Sequence, residues 1–191
     1  MPAEFRNVRS EHLKACFLRA YQSFPKLHAR RIVLQQRPMK HTTMNAQPLL
    51  DRYFFLRSRR SYRINVSNNM HLRHLVNIHE LPEPVLVGWF AHELGHVIDY
   101  LNRSAAGMIR FGLGYWLFDN FRTGAERKAD IFAIERGFGR EIIETKKYIL
   151  EKAGLPERYK KRIELYYMSP DEVALMVQEE EREDLRLDRL L

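Results

Sequence analysis

The sequence predicts an α+β fold in which an amino-terminal helix and a small mixed sheet precede a helical half. Short segments rich in β-branched and aromatic residues fall between residues 29 and 67, whereas apolar residues recur at helical spacing from residue 70 onward. The chain has 191 residues, of which 45% are hydrophobic and 29% are charged, and this composition suits a globular protein with its own core. We therefore predict a single domain over 1–191, with a helix-plus-sheet half over 1–84 and a helical half over 85–191.

The first half begins with a helix predicted over 10–24, because Ser10 can act as an N-cap and Pro25 stops the helix. Four short strands follow, separated by prolines and polar residues. The predicted strands are 29–35, 41–46, 53–57 and 61–67. The last of them alternates apolar and polar residues, which is typical of a strand with one buried face. The polar stretch 57–60 predicts a hairpin turn between the last two strands.

The second half is predicted to be helical throughout. Thr123 can begin one helix that Gly137 ends, and Ser169 followed by Pro170 is a typical helix start. The predicted helices are 70–78, 85–101, 123–136, 140–153, 157–167 and 169–191. The aromatic and glycine-rich segment 103–123 could either wall a substrate pocket or belong to the core.

Charge and cysteine content limit the classes of function. The formal charge is +8, but residues 1–75 hold 15 Lys and Arg against 3 Asp and Glu, whereas the remaining residues are net acidic. The single cysteine, Cys16, excludes an intrachain disulfide framework and a Cys-rich zinc module, and it is compatible with the cytoplasm, where we expect the protein. The most apolar stretch, 108–118, is too short to span a bilayer, so we predict no membrane partner.

The predicted helix 85–101 contains the motif His92-Glu93-Leu94-Gly95-His96, which has the form HExxH. Residues four apart on a helix lie on one face, so His92 and His96 can bind one zinc ion while Glu93 lies beside the metal-bound water. The flanking residues are apolar enough to bury this helix, and burying two imidazoles and a carboxylate is costly unless a partner satisfies them. The alternative is a pair of hydrogen-bonded core histidines.

A hydrolytic zinc site needs a third protein ligand and an open fourth position. No His or Cys occurs after His96, so a downstream ligand must be a carboxylate. The best candidate is Glu126, with Asp130 four residues later on the same helix face to accept a hydrogen bond from a zinc-bound imidazole. The alternative is a solvated helix face, and the competing carboxylates are Asp99, Asp119 and Glu135.

The two motifs together, His92-Glu93-xx-His96 and Glu126-xx-Ala129-Asp130, resemble those of the gluzincin zinc metallopeptidases. The order of helix, small sheet, HExxH helix and ExxAD helix is similar to that of the minigluzincins. The resemblance implies a zincin-like fold, with the zinc site between the helix-and-sheet half above and the helical half below. It also implies Zn²⁺ bound by His92, His96 and Glu126, with Asp130 orienting a ligand.

The same resemblance implies that Glu93 is the general base and acid of peptide hydrolysis. A donor for the oxyanion is also needed, and gluzincins often use a downstream His or Tyr. Without a downstream His, the candidates are Tyr166, Tyr167 and Arg162. Zincin substrates usually bind along an edge strand; we predict 53–57 for this strand, with 41–46 as a close alternative.

Charged segments at both ends of the sequence suggest further interactions. Arginines and aromatic residues alternate over 53–63, which could be a nucleic-acid surface or, as we prefer, a solvated hairpin over the core. Residues 177–191 hold six acids and three bases. Our hypothesis is that this acidic tail packs against the basic half and inhibits the enzyme.

These observations lead to the prediction of a zinc-dependent metalloendopeptidase that acts on peptide or protein substrates. One alternative keeps the chemistry and changes the substrate: a DNA-associated or repressor-cleaving zinc metalloprotease. The other is a zinc-binding interaction protein without catalytic activity.

Overall fold

A small mixed sheet forms one side of the protein in the computed structural model, which describes residues 3–40, 42–70, 76–152 and 157–188. The strands are β1 (Glu4–Arg6), β2 (Ile32–Gln36), β3 (Met44–Pro48) and β4 (Tyr62–Val66). Their order in the sheet is β1-β2-β4-β3; β2 is parallel to β1 and β4, and β3 is antiparallel to β4. The strand β3 therefore lies at one edge of the sheet.

Helices make up most of the remaining chain, which confirms the predicted α+β class. They are α1 (Glu11–Gln22), α2 (Pro25–His28), α3 (Glu83–Leu101), α4 (Ala105–Leu117), α5 (Asp119–Ile134), α6 (Gly139–Lys147), α7 (Glu157–Tyr166) and α8 (Pro170–Asp188). A 3₁₀ turn, Ile78–Glu80, precedes α3, and a π-helical turn, Tyr148–Lys152, follows α6. Within the described ranges, no helix is both long and apolar enough to cross a bilayer.

The predicted strand 53–57 is wrong, because this segment folds into turns. The side chain of Asp51 accepts a hydrogen bond from the Tyr53 amide at 2.8 Å, and its carbonyl accepts one from the Phe54 amide at 3.0 Å. Such Asx-turns and β-turns use the backbone groups that a strand would give to its neighbour. The predicted hairpin at 57–60 is therefore also wrong, and the edge strand is β3, which overlaps the alternative 41–46.

The predicted helix 70–78 is wrong where the structure describes it. Short strands at Asn69–Met70 (β5) and Val76–Asn77 (β6) pair antiparallel. The intervening residues 71–75 lie outside the described ranges, as do residue 153 of the predicted helix 140–153 and residues 189–191 of the predicted helix 169–191. The short helix α2, the strand β1 and the helix α4 were not predicted. The strand β1 has only three residues, and α4 occupies the segment for which the sequence left a pocket wall or core open.

The HExxH helix α3 is the centre of the packing. It contacts α1 on one side, α5 and α6 on the others, and β3 at the edge of the sheet. Two glycines let neighbouring helices approach it closely: a Cβ atom on Gly95 would overlap the Ala129 carbonyl oxygen of α5, and one on Gly88 would overlap the Glu141 carbonyl oxygen of α6. Their spacing on α3 therefore sets where α5 and α6 cross it.

Candidate metal centre

The helix α3 buries the polar residues of its motif together with its apolar ones. His92, Glu93 and His96 are all buried, although the helix is otherwise surrounded by aliphatic and aromatic core residues. The ring centroids of His92 and His96 are 4.7 Å apart, as expected for residues four apart on one face. A buried motif of this kind needs polar partners from another element.

The partners come from α5, which crosses α3 at Gly95. Glu126 Oε2 lies 3.0 Å from His92 Nε2 and 3.3 Å from His96 Nε2. One atom from each of these three side chains lies within 4.8 Å of the others, and all three residues are buried. The structure thus brings together the three residues that the sequence predicted as metal ligands, in an arrangement that could hold a metal ion.

Asp130 occupies the position predicted for a residue that orients a ligand. Its Oδ1 accepts a hydrogen bond from His92 Nδ1 at 2.8 Å, which leaves Nε2 of the same ring directed at Glu126. Its Oδ2 accepts a 2.7 Å hydrogen bond from the buried ammonium group of Lys146 on α6. Sequence reasoning missed Lys146, because only the crossing of α6 over α3 brings it to Asp130.

A second missed residue, Tyr115 of α4, donates a hydrogen bond to Glu126 Oε1, the carboxylate oxygen that faces away from the imidazoles. Its spacing in the sequence gives no indication of this contact, since it belongs to an apolar and glycine-rich stretch. Both oxygens of the Glu126 carboxylate are thus oriented, one by a tyrosine hydroxyl and the other by the histidines.

Electrostatic interactions within the cluster shift the pKa values of its members. Burial lowers the pKa of His92, but hydrogen bonds to Asp130 and Glu126 outweigh burial and raise it to about 10. Burial raises the pKa of both carboxylates, but His96 and His92 lower the pKa of Glu126 well below its usual value, and Lys146 and His92 lower the pKa of Asp130. Without a metal ion, the cluster therefore holds its two acids ionised and at least one imidazole protonated.

Glu93 differs from the other carboxylates of the site. It is buried, and burial is the main cause that raises its pKa above the usual value. Among the described residues, its Oε2 atom has no hydrogen-bond partner. A buried carboxylate oxygen without a partner is costly, so it points to a group that the protein atoms alone do not supply.

The tyrosines predicted as oxyanion donors lie near the cluster, at the end of α7. The ring of Tyr167 is 5.7 Å from the ring of His92, whereas the hydroxyl of Tyr166 donates a 2.7 Å hydrogen bond to Asp119. The third candidate, Arg162, lies over the ring of Tyr166 at 5.7 Å. All three line the same cavity as the metal cluster.

The competing carboxylates are placed elsewhere. Asp99 is buried but is paired with Arg103 at 2.5 Å and Lys128 at 2.6 Å, so cations already satisfy it. Asp119 and Glu135 are exposed at the two ends of α5. These contacts leave Glu126 as the carboxylate beside the histidines.

The cluster lies in a cavity of about 800 Å³. The edge strand β3 lines one side of it, and α4 and α7 line other sides. The cavity is large enough for several residues of a peptide or for a small organic molecule. Its lining combines the polar groups of the cluster with apolar side chains such as Met108, Ile109 and Leu113.

Comparisons with protein-family models, with curated proteins and with solved structures find no match for this chain. The gluzincin resemblance therefore rests on the two motifs and on the buried cluster that they form. The zincin fold stays a prediction.

The charged segments are placed as follows. Arg60 is buried and donates hydrogen bonds to the carbonyls of Phe54 and Arg103, while Arg57 donates to the Leu101 carbonyl at the end of α3. These two arginines thus satisfy backbone carbonyls. In the acidic tail, Glu181 pairs with Arg140 of α6, in the helical half. Self-inhibition by the tail stays a prediction.

Proposed function

We propose that the protein is a zinc-dependent endopeptidase with Glu93 as general base and acid. One observation carries the proposal: three buried metal-ligand atoms converge in an open cavity beside a buried carboxylate oxygen that no described residue of the chain pairs with. A structural ion-pair cluster would explain Glu126 and the Nε2 atoms of His92 and His96, but among the described residues it would leave Glu93 Oε2 and His96 Nδ1 without partners.

The donor set fits zinc. Two imidazoles and one carboxylate are the ligands of one class of hydrolytic zinc site, which keeps a further position open. Orientation of His92 by Asp130 and of Glu126 by Tyr115 supplies the outer hydrogen bonds that such sites require. Zinc bound by His92, His96 and Glu126 would supply a Lewis acid that polarises a carbonyl and lowers the pKa of a bound water.

Glu93 supports proton transfer because of its environment. Burial raises its pKa, which makes the carboxylate a stronger base than an exposed glutamate. It follows His92 directly on α3, so the packing that fixes the ligands also fixes this carboxylate. In the proposed reaction Glu93 accepts the proton of the attacking water and later donates it to the leaving amine.

The strand β3 is the proposed binding site for the peptide backbone. It is an edge strand of the sheet, it lines the cavity, and its Ala46 carbonyl lies 3.4 Å from the Tyr100 hydroxyl on α3. An extended peptide added to this edge would bind through main-chain hydrogen bonds with little selection of side chains. We assign the oxyanion donor to Tyr167, since its ring contacts that of His92 whereas the Tyr166 hydroxyl is bonded to Asp119.

The experiment combines metal analysis with cleavage of a peptide library. The wild-type protein should bind one zinc ion per chain and cleave peptides. The Glu93→Gln variant should keep the zinc and lose cleavage by about 10²- to 10⁴-fold, the usual contribution of a general base. Glu135→Gln, which changes an exposed glutamate at the end of α5, is the matched control and should retain both properties.

Two results would contradict the proposal. Absence of stoichiometric zinc would refute the metal centre itself. A zinc-loaded wild-type protein that cleaves no peptide would favour the non-catalytic zinc-binding protein instead.

A further inference from the structure

The outward face of α4 is apolar, although it is not covered by any described part of the chain. Met108, Phe111 and Gly114 face the core, as expected for an amphipathic helix. The opposite face should then be polar, yet it carries large apolar side chains. These are Ile109, Leu113, Trp116 and Leu117, each exposed for at least 55% of its surface.

A second exposed apolar segment lies beside the start of α4. Leu50, Phe55 and Leu56 belong to the turns between β3 and β4. The hydrogen bonds of Arg57 to the Leu101 carbonyl and of Arg60 to the Arg103 carbonyl join these turns to the residues that precede α4. We call these turns (50–60) and the outward face of α4 the apolar rim; Leu50, Ile109 and Leu113 also line the cavity.

The exposed side chains of the rim protrude rather than form a flat surface. Leu50, Phe55 and Trp116 are exposed for 83, 74 and 75% of their surfaces. Exposed apolar side chains gathered on one face and bordered by charged residues mark a site of interaction with a protein or a membrane.

The charge of the rim selects between these occupants. Residues 50–60 and 105–117 carry five arginines against one acid, Asp51. Arg52, Arg59 and Arg110 are exposed. The Asp51 side chain, in contrast, accepts a hydrogen bond from the Tyr53 amide. Aromatic and aliphatic side chains interleaved with arginines are the features of segments that lie at the surface of an anionic bilayer.

We propose that the apolar rim binds the surface of membranes that contain anionic lipids, with Trp116 and its apolar neighbours inserted at the level of the headgroups. Sequence analysis predicted no membrane partner because no segment can span a bilayer, but binding at the surface needs no such segment. This surface association holds whether or not the cavity hydrolyses peptides.

Binding is measured with the full chain and with vesicles of phosphatidylcholine, with and without 30% phosphatidylserine. Trp116 is one of two tryptophans, so the Trp89→Phe variant makes it the sole reporter. The protein should co-sediment with the anionic vesicles. The Trp116 emission should shift to shorter wavelength, and lipids brominated near the headgroup should quench it.

Two sets of variants separate the apolar and charged contributions. Leu113→Gln with Leu117→Gln should weaken partitioning on the order of tenfold for each side chain withdrawn from the lipid. The matched control is Leu175→Gln with Leu185→Gln on the acidic helix α8, where the leucines are equally exposed. Replacing Arg52, Arg59 and Arg110 by Gln should weaken binding about five-fold for each charge.

Four results would overturn the proposal. The first is no binding to vesicles of any composition. The second is binding that produces no emission shift and is not weakened by Leu113→Gln with Leu117→Gln, since this would show attraction by charge alone. The third is equal weakening by the control pair on α8. The fourth is a stable dimer in sedimentation analysis that these two rim substitutions dissociate, since a second copy of the chain would then be the occupant.

Discussion

Gly95→Ala is expected to weaken zinc binding, because this glycine lies where α3 and α5 cross. The added Cβ atom would overlap the Ala129 carbonyl oxygen and lie 3.1 Å from the carbonyl carbon. Ordinary carbon–carbon contacts are about 3.5–4.0 Å, so α5 must move away by several tenths of an ångström or more. Glu126 is three residues from Ala129 and moves with it, away from both histidines.

The expected magnitude follows from the tolerance of metal sites. Ligand distances are held within about 0.2 Å, so the displacement is larger than the site accepts. We expect about tenfold to hundredfold weaker zinc binding, as is found when groups that orient ligands are removed. Overpacking should also lower the free energy of unfolding by about 1–3 kcal/mol.

The assay is a competition titration with a chromophoric zinc chelator, together with urea unfolding of the metal-free protein. Gly88→Ala is the matched control, because its Cβ atom would overlap the Glu141 carbonyl of α6, a helix without metal ligands. It should lower stability similarly and zinc affinity less. Gly124→Ala on α5 should change neither by much, because its added Cβ atom would meet no other described element of the chain within 4 Å. Equal loss of zinc affinity in the Gly88 and Gly95 variants would refute the reasoning.

Three further predictions concern groups that support the cluster. The fold raises the pKa of His92 from about 6.5 to about 10, so protonation of His92 stabilises the metal-free protein fully below pH 6.5 and progressively less as the pH rises to 10. Zinc binding near pH 8 should therefore release about one proton from His92. Calorimetry in buffers of different ionisation enthalpy measures this release. Lys146→Met removes the ammonium group paired with the buried Asp130 and leaves this carboxylate with its hydrogen bond to His92, so urea unfolding should show a loss of about 3–5 kcal/mol. Tyr115→Phe removes the hydrogen bond to Glu126 and should weaken zinc binding at least about tenfold in the chelator assay.

Each of these predictions has a control within the chain. For the pH dependence it is the zinc-saturated protein, whose stability should vary little between pH 6.5 and 10. Lys128→Met also removes a partner of a buried acid, but Lys128 is half exposed and Asp99 keeps Arg103, so the loss should stay under about 1 kcal/mol. Tyr166→Phe removes a hydroxyl bonded to Asp119 and should leave zinc affinity unchanged. A similar loss in either control would contradict the assigned contacts.

The predicted metal cluster depends on local spacing, which is why the sequence sufficed for it. His92 and His96 share a face because they are four apart on one helix, and the same holds for Glu126 and Asp130. Because no His or Cys follows His96, only a carboxylate could be the third ligand from the downstream sequence. The contacts of Tyr115 and Lys146 depend on how three helices cross, and no local pattern encodes those crossings.

The errors in the fold have a related cause. The aromatic run at 53–57 has the composition of a strand, but Asp51 captures the backbone amides that a strand would use. The helix α4 was not predicted because its apolar residues cover both faces, so that no amphipathic period stands out in the sequence. Local composition decided these predictions, whereas the side-chain contacts of a few polar residues decided the structure.

The origin of the ligands from two helices has a consequence for the segment between them. His96 and Glu126 are 30 residues apart in sequence, and a metal ion that binds both would close this stretch into a ring containing all of α4. Closure of a loop of this length removes conformational freedom from the chain, as a disulfide does. Zinc should therefore protect the connections on either side of α4 from limited proteolysis, and chelation should expose them before the sheet is cut.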